Sequence, residues 1–170
     1  MPFKFCPQCG TGLETRKIEG EQRLFCPQCS FIFYQNPKPT ASALITSADR
    51  VLLVRRAIDP QKGCWDLPGG FLEVDEHPEQ ALRREIKEEL DISIEVMGFL
   101  GIYMDRYDYD EAGGHTLNIY YHARIAAGEP RPASDIDQWG WFASDEIPSN
   151  MAFTNNKEAL RTWLERTDKV

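Results

Sequence analysis

Apolar residues recur along the chain at spacings typical of short strands and of amphipathic helices. Two apolar runs, at residues 40–46 and 51–56, predict strands joined by a hairpin turn. The second run is apolar at four consecutive positions, as in a strand that is covered on both faces. The remaining strands are predicted at residues 92–103, 116–126 and 138–142.

Two stretches carry apolar side chains at the three- and four-residue spacing of a helix face. Residues 77–90 form the first, with Pro78 at the first helical position and His77 before it as the N-cap. Residues 155–166 form the second, where Asn155 and Glu158 have the pattern of a capping box. The apolar faces consist of Ala81, Leu82, Ile86 and Leu90 in the first helix and of Leu160, Trp163 and Leu164 in the second.

Three acidic residues share one face of the first helix. Glu85, Glu88 and Glu89 stand at positions i, i+3 and i+4, where like charges repel and destabilise an isolated helix. Arg84 can offset this repulsion in part. A bound Mg²⁺ or Mn²⁺ ion would offset it better, because these ions prefer carboxylate ligands. The alternative interpretation is a solvated, charged helix face.

At all but one position, the residues around this face follow the spacing G-x5-E-x7-R-E-U-x-E-E-x-G-U, in which U is a bulky apolar residue. This pattern resembles the signature of the Nudix hydrolases, and an L-P-G-G turn at residues 67–70 leads into it as in that family. One position departs, because Asp91 stands where the family has a glycine that ends the helix. We expect the departure to affect the helix end only. The matching residues are Gly70, Glu76, Arg84, Glu85, Ile86, Glu88, Glu89 and Ile92.

The resemblance implies an α/β protein, a Nudix α/β/α sandwich with a mixed β-sheet, and a Nudix-type pyrophosphatase. In such an enzyme, water attacks phosphorus and breaks the phosphoanhydride bond of a nucleoside diphosphate linked to another moiety, which gives two monophosphates. The resemblance implies that Mg²⁺ or Mn²⁺ ions are held by Glu85, Glu88, Glu89 and the Gly70 carbonyl. Glu85 or Glu89 would take the proton of the water, and Arg84 would orient a carboxylate through a forked ion pair.

Four cysteines stand in two C-x2-C pairs, Cys6 with Cys9 and Cys26 with Cys29, separated by sixteen residues. The spacing is typical of a structural zinc site with four thiolates, which leaves no open coordination position for catalysis. The segment resembles a zinc ribbon, with two short strands predicted between the pairs. Disulfides are the competing interpretation. We expect a four-cysteine zinc ribbon at residues 1–36 and a Nudix hydrolase domain at residues 37–170.

Charge is distributed unevenly along the chain. The formal net charge is −8 at pH 7; residues 1–38 carry five cations against three anions, so the remaining residues carry −10. A body this acidic repels duplex nucleic acid, which is therefore not an expected partner. No apolar run approaches the roughly 20 residues that span a bilayer, and the N-terminus lacks the apolar core of a signal peptide. We therefore expect a cytoplasmic protein without a membrane partner.

Several residues outside the signature are candidates for substrate or metal contacts. Arg55 and Arg56 end a predicted strand and can meet a substrate phosphate, although a surface pair is the competing interpretation. Tyr107 and Tyr109 can stack on a base or can be ordinary loop aromatics. The resemblance implies one more metal-binding carboxylate from the loop at residues 105–114, where the candidates are Asp105, Asp108, Asp110 and Glu111.

The resemblance narrows the class of substrate but does not identify one substrate. A ribbon before a Nudix domain is similar to the NADH pyrophosphatases, but their S-Q-P-W-P-F-P stretch is absent here. The layout of C-P-Q-C, N-P-K-P and W-D-L-P-G-G also resembles zinc-ribbon Nudix proteins that act on FAD or ADP-ribose. We expect an FAD, ADP-ribose or NAD(H)-like substrate, and a homodimer is compatible with this. The alternatives are a hydrolase that removes unwanted nucleoside triphosphates and a non-catalytic sensor of nucleotides or nucleic acid.

Overall fold

The computed structural model of the chain describes residues 3–107 and 114–167. The chain divides into two compact units, one comprising Met1–Pro37 and Arg106–His115 and the other comprising Lys38–Asp105 and Thr116–Val170. The first unit contains the four paired cysteines, and the second contains the helix with three glutamates.

The first unit contains a three-stranded sheet with the order β1-β2-β3. β1 (Glu14–Ile18) and β2 (Glu21–Phe25) form an antiparallel hairpin, as predicted, and β3 (Ile32–Phe33) pairs with the end of β2. Each C-x2-C pair is followed by a residue with a left-handed backbone, Gly10 at φ 74° and Ser30 at φ 62°. The chain therefore turns in the same way after each C-x2-C pair.

The second unit is built on a seven-stranded mixed sheet. The main path has the order β10-β5-β4-β9-β8, with β6 added to β5 and β7 added to β4. β4 runs parallel to β9 and antiparallel to β5. The strands are β4 (Lys38–Ser47), β5 (Arg50–Arg56), β6 (Trp65–Asp66), β7 (Gly69–Phe71), β8 (Ser93–Arg106), β9 (His115–Ala127) and β10 (Ile136–Phe142).

Two helices cover the sheet, α1 (Pro78–Leu90) on one face and α2 (Thr154–Thr167) on the other. Successive side chains of a strand point to opposite faces, so Ile45 of β4 packs with the apolar stripe of α1 while Leu44 packs with that of α2. This is the α/β/α sandwich that the resemblance implied. Among the described residues, neither helix is long and apolar enough to cross a membrane.

The start of α1 follows the local sequence. Pro78 is the first helical residue and His77 is the N-cap, as predicted. The His77 side chain accepts a hydrogen bond from the Glu79 backbone N–H at 3.3 Å, and the Gln80 side chain accepts one from the His77 N–H at 3.1 Å. This reciprocal capping box fixes where the signature helix begins.

The end of α1 shows how the chain tolerates its departure from the signature. Asp91 adopts the left-handed conformation, with φ 56° and ψ 27°, that a glycine would take at this position. Its carboxylate forms an ion pair with Lys87, one turn earlier, which compensates in part for an anion at the negative end of the helix dipole. The carboxylate face of the helix is unaffected.

The capping box predicted for the second helix is wrong. α2 begins at Thr154, and the Asp105 carboxylate accepts hydrogen bonds from the N–H groups of Thr154 at 3.0 Å and Asn155 at 3.2 Å. A distant carboxylate thus takes the place of the local cap, because it satisfies two N–H groups at the positive end of the helix dipole. The Asn155 side chain turns into the protein instead.

We predict that Asp91→Gly stabilises the protein. Glycine occupies the left-handed region without the clash that a Cβ atom introduces, and only an exposed ion pair is lost. Tm should rise by roughly 2–4 °C in thermal unfolding followed by circular dichroism. Asp91→Ala, which loses the same ion pair but keeps a Cβ atom, is the matched control and should lower Tm. An equal Tm in the two variants would contradict the role assigned to the backbone.

Candidate functional site

The three glutamates of α1 share a face but differ in exposure. Glu89 is buried, with 5% of its surface exposed, whereas the Glu85 side chain is 18% exposed and that of Glu88 is 53% exposed. The face therefore runs from solvent at Glu88 into the protein at Glu89. A charged carboxylate in a buried position requires a nearby cation or strong hydrogen-bond donors.

Arg84 is the cation at the outer part of this face. Its guanidinium forms a forked ion pair with Glu76, with both N···O distances at 2.9 Å. It also donates to Glu85 at 2.8 Å and to Glu88 at 3.3 Å. The hydrogen bonds from Arg84 lower the pKa of Glu76 to about 2. Glu76 thus holds the guanidinium in place, and the guanidinium holds Glu85.

The Gly69–Gly70 turn lies directly against the inner part of the face. β7 pairs with β4 here, with Gly70 opposite Ala41. The Gly69 N–H donates to Glu89 at 3.0 Å, and a Cβ atom at position 70 would lie 2.5–2.7 Å from the Glu85 carboxylate atoms. No side chain larger than hydrogen fits at residue 70 without displacing that carboxylate. The two glycines therefore allow the backbone of the turn to lie close to both carboxylates.

Burial and neighbouring anions raise the pKa of Glu89 well above its ordinary value. Burial is the largest cause, followed by the charges of Asp135, Asp66 and Glu85. Burial also raises the pKa of Glu85, although Arg84 opposes this. At neutral pH the inner face therefore favours either a proton or a bound cation.

The donors of this face suit a hard divalent cation. They are all oxygen atoms, which Mg²⁺ and Mn²⁺ prefer. Within residues 3–107 and 114–167, the carboxylates of Glu85, Glu88 and Glu89 do not converge as closely as the four thiols do. Mg²⁺ usually keeps several bound waters and takes few protein carboxylates, so carboxylates that are spread along a helix suit its coordination.

A buried polar network that sequence analysis missed lies behind the turn. Asp66 accepts hydrogen bonds from Asn156 at 2.5 Å and from Arg56 at 3.3 Å. Tyr120 donates to Asn156 at 2.6 Å, and Asn155 donates to Tyr120 at 2.9 Å. Burial raises the pKa of Asp66 to about 6. The available signals were the acid that opens D-L-P-G-G and the adjacent asparagines at the start of α2.

Asp135, in the loop before β10, is the second acid that sequence analysis missed. The loop binds to the end of α1, where Ala133 donates its backbone N–H to the Glu89 carbonyl at 2.9 Å. Apart from burial, the charge of Asp135 is the largest cause of the raised Glu89 pKa. The sequence predicted an extra carboxylate only at residues 105–114, because nothing in the local sequence indicates that residue 135 lies near α1.

The predicted substrate arginines are both engaged within the protein. Arg55 forms a forked pair with Asp137 at 2.8 and 3.1 Å. Arg56 binds Asp66 and the Pro60 carbonyl, and its guanidinium lies 5.3 Å from the centre of the Phe153 ring. These contacts favour a structural role for Arg56, and substrate binding by either arginine stays a prediction.

The predicted loop residues are only partly described. Asp105 caps α2, and the Tyr107 backbone N–H donates to the Gly114 carbonyl at 2.8 Å. Their predicted roles toward metal and base remain predictions. The other candidates, Asp108, Tyr109, Asp110 and Glu111, lie outside the described residues.

The four cysteines of the first unit form a compact donor cluster. All four sulfur atoms lie within 4.8 Å of one another, and Cys6–Cys29 and Cys9–Cys26 are 3.6 and 3.5 Å apart. Four sulfurs at about 2.3 Å from a tetrahedral zinc ion are separated by about 3.8 Å, so the cluster fits that ion. The cysteines are free thiols rather than disulfides.

Two family matches cover nearly the whole chain. Residues 36–165 match the NUDIX domain, and residues 4–35 match the family described as Nudix N-terminal, a zinc ribbon. The first match contains the signature residues from Gly70 to Ile92 and the Gly69–Gly70 turn, and the second contains all four clustered cysteines.

Individual relatives agree with the family matches. The chain is 34% identical over 124 residues to an ADP-ribose pyrophosphatase of Methanocaldococcus jannaschii, covering 73% of this chain and 72% of that protein. It is 30% identical over 148 residues to the NAD-capped RNA hydrolase NudC of Pseudomonas aeruginosa, covering 85% of this chain. The chain spans about half the length of that hydrolase, since the match covers 49% of it.

A solved structure of a NUDIX hydrolase from Nitrosomonas europaea matches with a TM-score of 0.80 and 30% identity. The match covers 96% of this chain and 92% of that one. Members of the family use divalent metal ions, in agreement with the oxygen donors of the carboxylate face. The signature, the α/β/α fold and these matches together place the chain in the Nudix hydrolase family, with a Nudix N-terminal zinc ribbon ahead of its NUDIX domain.

Proposed function

We propose that the protein is a Mg²⁺- or Mn²⁺-dependent pyrophosphatase that cleaves the phosphoanhydride bond of an ADP-containing nucleoside diphosphate derivative, with ADP-ribose as the first candidate. The observation that carries this is the contact between the Gly69–Gly70 turn and the carboxylates of Glu85 and Glu89. The name and 34% identity of the archaeal ADP-ribose pyrophosphatase support the substrate class.

The roles of the site residues follow from their exposure and their contacts. Glu85, Glu88, Glu89 and the Gly70 carbonyl would hold the divalent ions, which, when bound, neutralise the diphosphate and acidify a water molecule. Glu85 or Glu89 would take the proton of the water, because both lie on the less exposed part of the carboxylate face. Arg84, held by Glu76, positions the Glu85 carboxylate.

NAD-capped RNA is the second candidate substrate. Several relatives carry the name NAD-capped RNA hydrolase, and such a substrate contains the same kind of diphosphate linkage between a nucleoside and a second moiety. This would qualify the expectation that nucleic acid is not a partner, because that expectation concerned duplex binding by an acidic body. FAD and NAD(H) remain in the substrate class.

The ribbon would hold one zinc ion through Cys6, Cys9, Cys26 and Cys29. The ion would stabilise the fold of the first unit and leave no position for substrate. The family matches meet between residues 35 and 36, which supports a ribbon at residues 1–36 and a catalytic domain at residues 37–170.

A substrate panel tests the proposal. Purified protein is incubated with Mg²⁺ or Mn²⁺ and with ADP-ribose, FAD, NADH, a 5′-NAD-capped RNA or a nucleoside triphosphate, and products are separated by chromatography. We expect AMP and a second monophosphate from ADP-ribose, FAD or NADH. Release of inorganic pyrophosphate from nucleoside triphosphates, with the diphosphate derivatives left intact, would support the triphosphate alternative instead.

We predict that Glu88→Gln and Glu89→Gln each lower kcat on the preferred substrate by roughly 10²- to 10³-fold, because each removes a metal-binding or proton-accepting oxygen charge. Glu79→Gln is the matched control. It changes an exposed glutamate of the first turn of the same helix and should leave kcat unchanged. Circular dichroism and Tm check that the fold is intact, and turnover close to wild type in both variants would remove these residues from the mechanism.

We predict that Glu89→Gln also raises stability in EDTA. The raised pKa means that the folded state binds this proton more tightly than the unfolded state, so the stabilisation from Glu89 is present at low pH and lost as pH rises. At neutral pH, Tm of the metal-free variant should exceed that of the wild type by roughly 2–6 °C. The difference should shrink on acidification towards pH 4.5. A variant that is less stable than wild type in EDTA would contradict the burial argument.

For the ribbon, we predict about one zinc ion per chain by elemental analysis. Cys26→Ser should lose this zinc and make the first unit susceptible to limited proteolysis, because Cys26 is buried within the sulfur cluster. Cys64→Ser is the control, since Cys64 lies outside the cluster, and should retain zinc. Zinc-free wild-type protein with the four cysteines oxidised in pairs would contradict the zinc assignment.

A further inference from the structure

Two arginines stand directly opposite each other on the ribbon hairpin. Arg16 of β1 is the register partner of Arg23 of β2. Like charges at directly opposed positions destabilise an antiparallel pair. Arg16 is paired with Glu14 at 2.6 Å, but Arg23 has no carboxylate partner in the part of the chain that the structure describes, and its buried Nε has no hydrogen-bond acceptor there.

Each of these arginines lies over an aromatic ring. The Arg16 guanidinium carbon is 3.8 Å from the centre of the Phe25 ring, and that of Arg23 is 4.6 Å from the centre of the Tyr34 ring. Tyr34 is 47% exposed. Each ring attracts the guanidinium group above it, and together they present cationic and aromatic surface.

A pocket of about 150 Å³ opens beside Arg23. A cavity of about this volume can hold a group the size of benzene, and therefore a phosphate or most of a base. Its polar lining includes the side-chain amides of Gln22 and Gln35, which can donate hydrogen bonds, and the Glu21 carboxylate, which cannot when ionised. The remaining lining residues are Arg23, Leu24 and Phe33.

We propose that this face of the ribbon, defined by Arg16, Arg23 and Tyr34 and called the arginine face below, binds single-stranded nucleic acid. A backbone phosphate bound between Arg16 and Arg23 removes their repulsion. An adjacent base stacks on Tyr34 or on the Arg23 guanidinium plane. Duplexes keep their bases paired inside, so the face selects single strands. The inference depends on the ribbon alone and not on the proposed catalytic function.

The test measures binding without turnover. The zinc-loaded, full-length protein is titrated in EDTA-free buffer without Mg²⁺ or Mn²⁺ against fluorescein-labelled single-stranded oligoadenylate RNA, and anisotropy gives Kd. We expect Arg23→Gln, Arg16→Gln and Tyr34→Leu each to raise Kd by roughly five- to tenfold, and each arginine variant to reduce the slope of log Kd against log salt by about 0.7. Lys17→Gln is the matched control. It removes the same charge from the neighbouring position of β1, on the opposite face of the hairpin, and should leave Kd unchanged.

Further arms identify the ligand. The same sequence as a DNA single strand should bind through the same residues, whereas a DNA duplex should bind more weakly. Millimolar inorganic phosphate that displaces the RNA completely would show a simple anion site and overturn the proposal. Equal loss of binding in Lys17→Gln and Arg23→Gln would show unspecific attraction, and an unchanged Kd in Arg23→Gln would also overturn it.

Two measurements separate loss of binding from loss of fold. Zinc content is determined for every variant. If Arg23→Gln loses zinc, binding is measured with Arg23→Lys instead, which keeps the charge but lacks the planar guanidinium group. Arg23→Lys should keep the salt slope and still weaken binding. ADP-ribose hydrolysis, followed in parallel, should be unchanged in all of these variants, so failure of the arginine face and failure of the proposed function give different results.

Discussion

Burial of the Glu89 carboxylate is the constraint on which the rest of the site depends. The side chain lies under the Gly69–Gly70 turn, receives one backbone hydrogen bond, and is surrounded by the charges of Asp66, Asp135 and Glu85. An apolar or amide side chain would be easier to accommodate there. A protein that keeps a carboxylate in such a place gains from it only when a cation arrives, because the cation converts mutual repulsion into attraction. Among the three carboxylates of the helix face, Arg84 meets this need only for Glu85 and Glu88.

Whether a feature could be predicted from the sequence depends on how far apart along the chain the interacting residues are. The carboxylate face and the N-cap at His77 were predictable, because helix geometry and capping act within a few residues. The cysteine cluster was predictable, because metal-ligand spacing is itself local. Asp66, Asp135 and Asn156 were missed, because only the sheet and the packing of α2 bring them to the turn. The wrong cap for α2 has the same cause: Asp105, about fifty residues earlier in the chain, displaced the local candidate.

The two units are stabilised by different means. The second unit has a continuous apolar core on each side of its sheet, made from alternate residues of β4 and β5 and the inner faces of the two helices. In the described part of the first unit, the buried apolar residues are Cys6, Leu24 and Cys26, of which the two cysteines belong to the sulfur cluster. So small a core does not stabilise a fold of this size, and metal–thiolate bonds to the sulfur cluster would replace it.

The central claim is that the buried carboxylates and the glycine turn bind divalent ions together with a diphosphate. Crystals grown with Mn²⁺ and a non-hydrolysable α,β-methylene analogue of ADP-ribose test it most directly, since manganese is located by its anomalous scattering. We predict at least one anomalous peak in contact with oxygen atoms of Glu85, Glu89 or the Gly70 carbonyl and also with the phosphonate oxygens of the analogue. An analogue bound elsewhere, or bound without manganese at this face, would contradict the account.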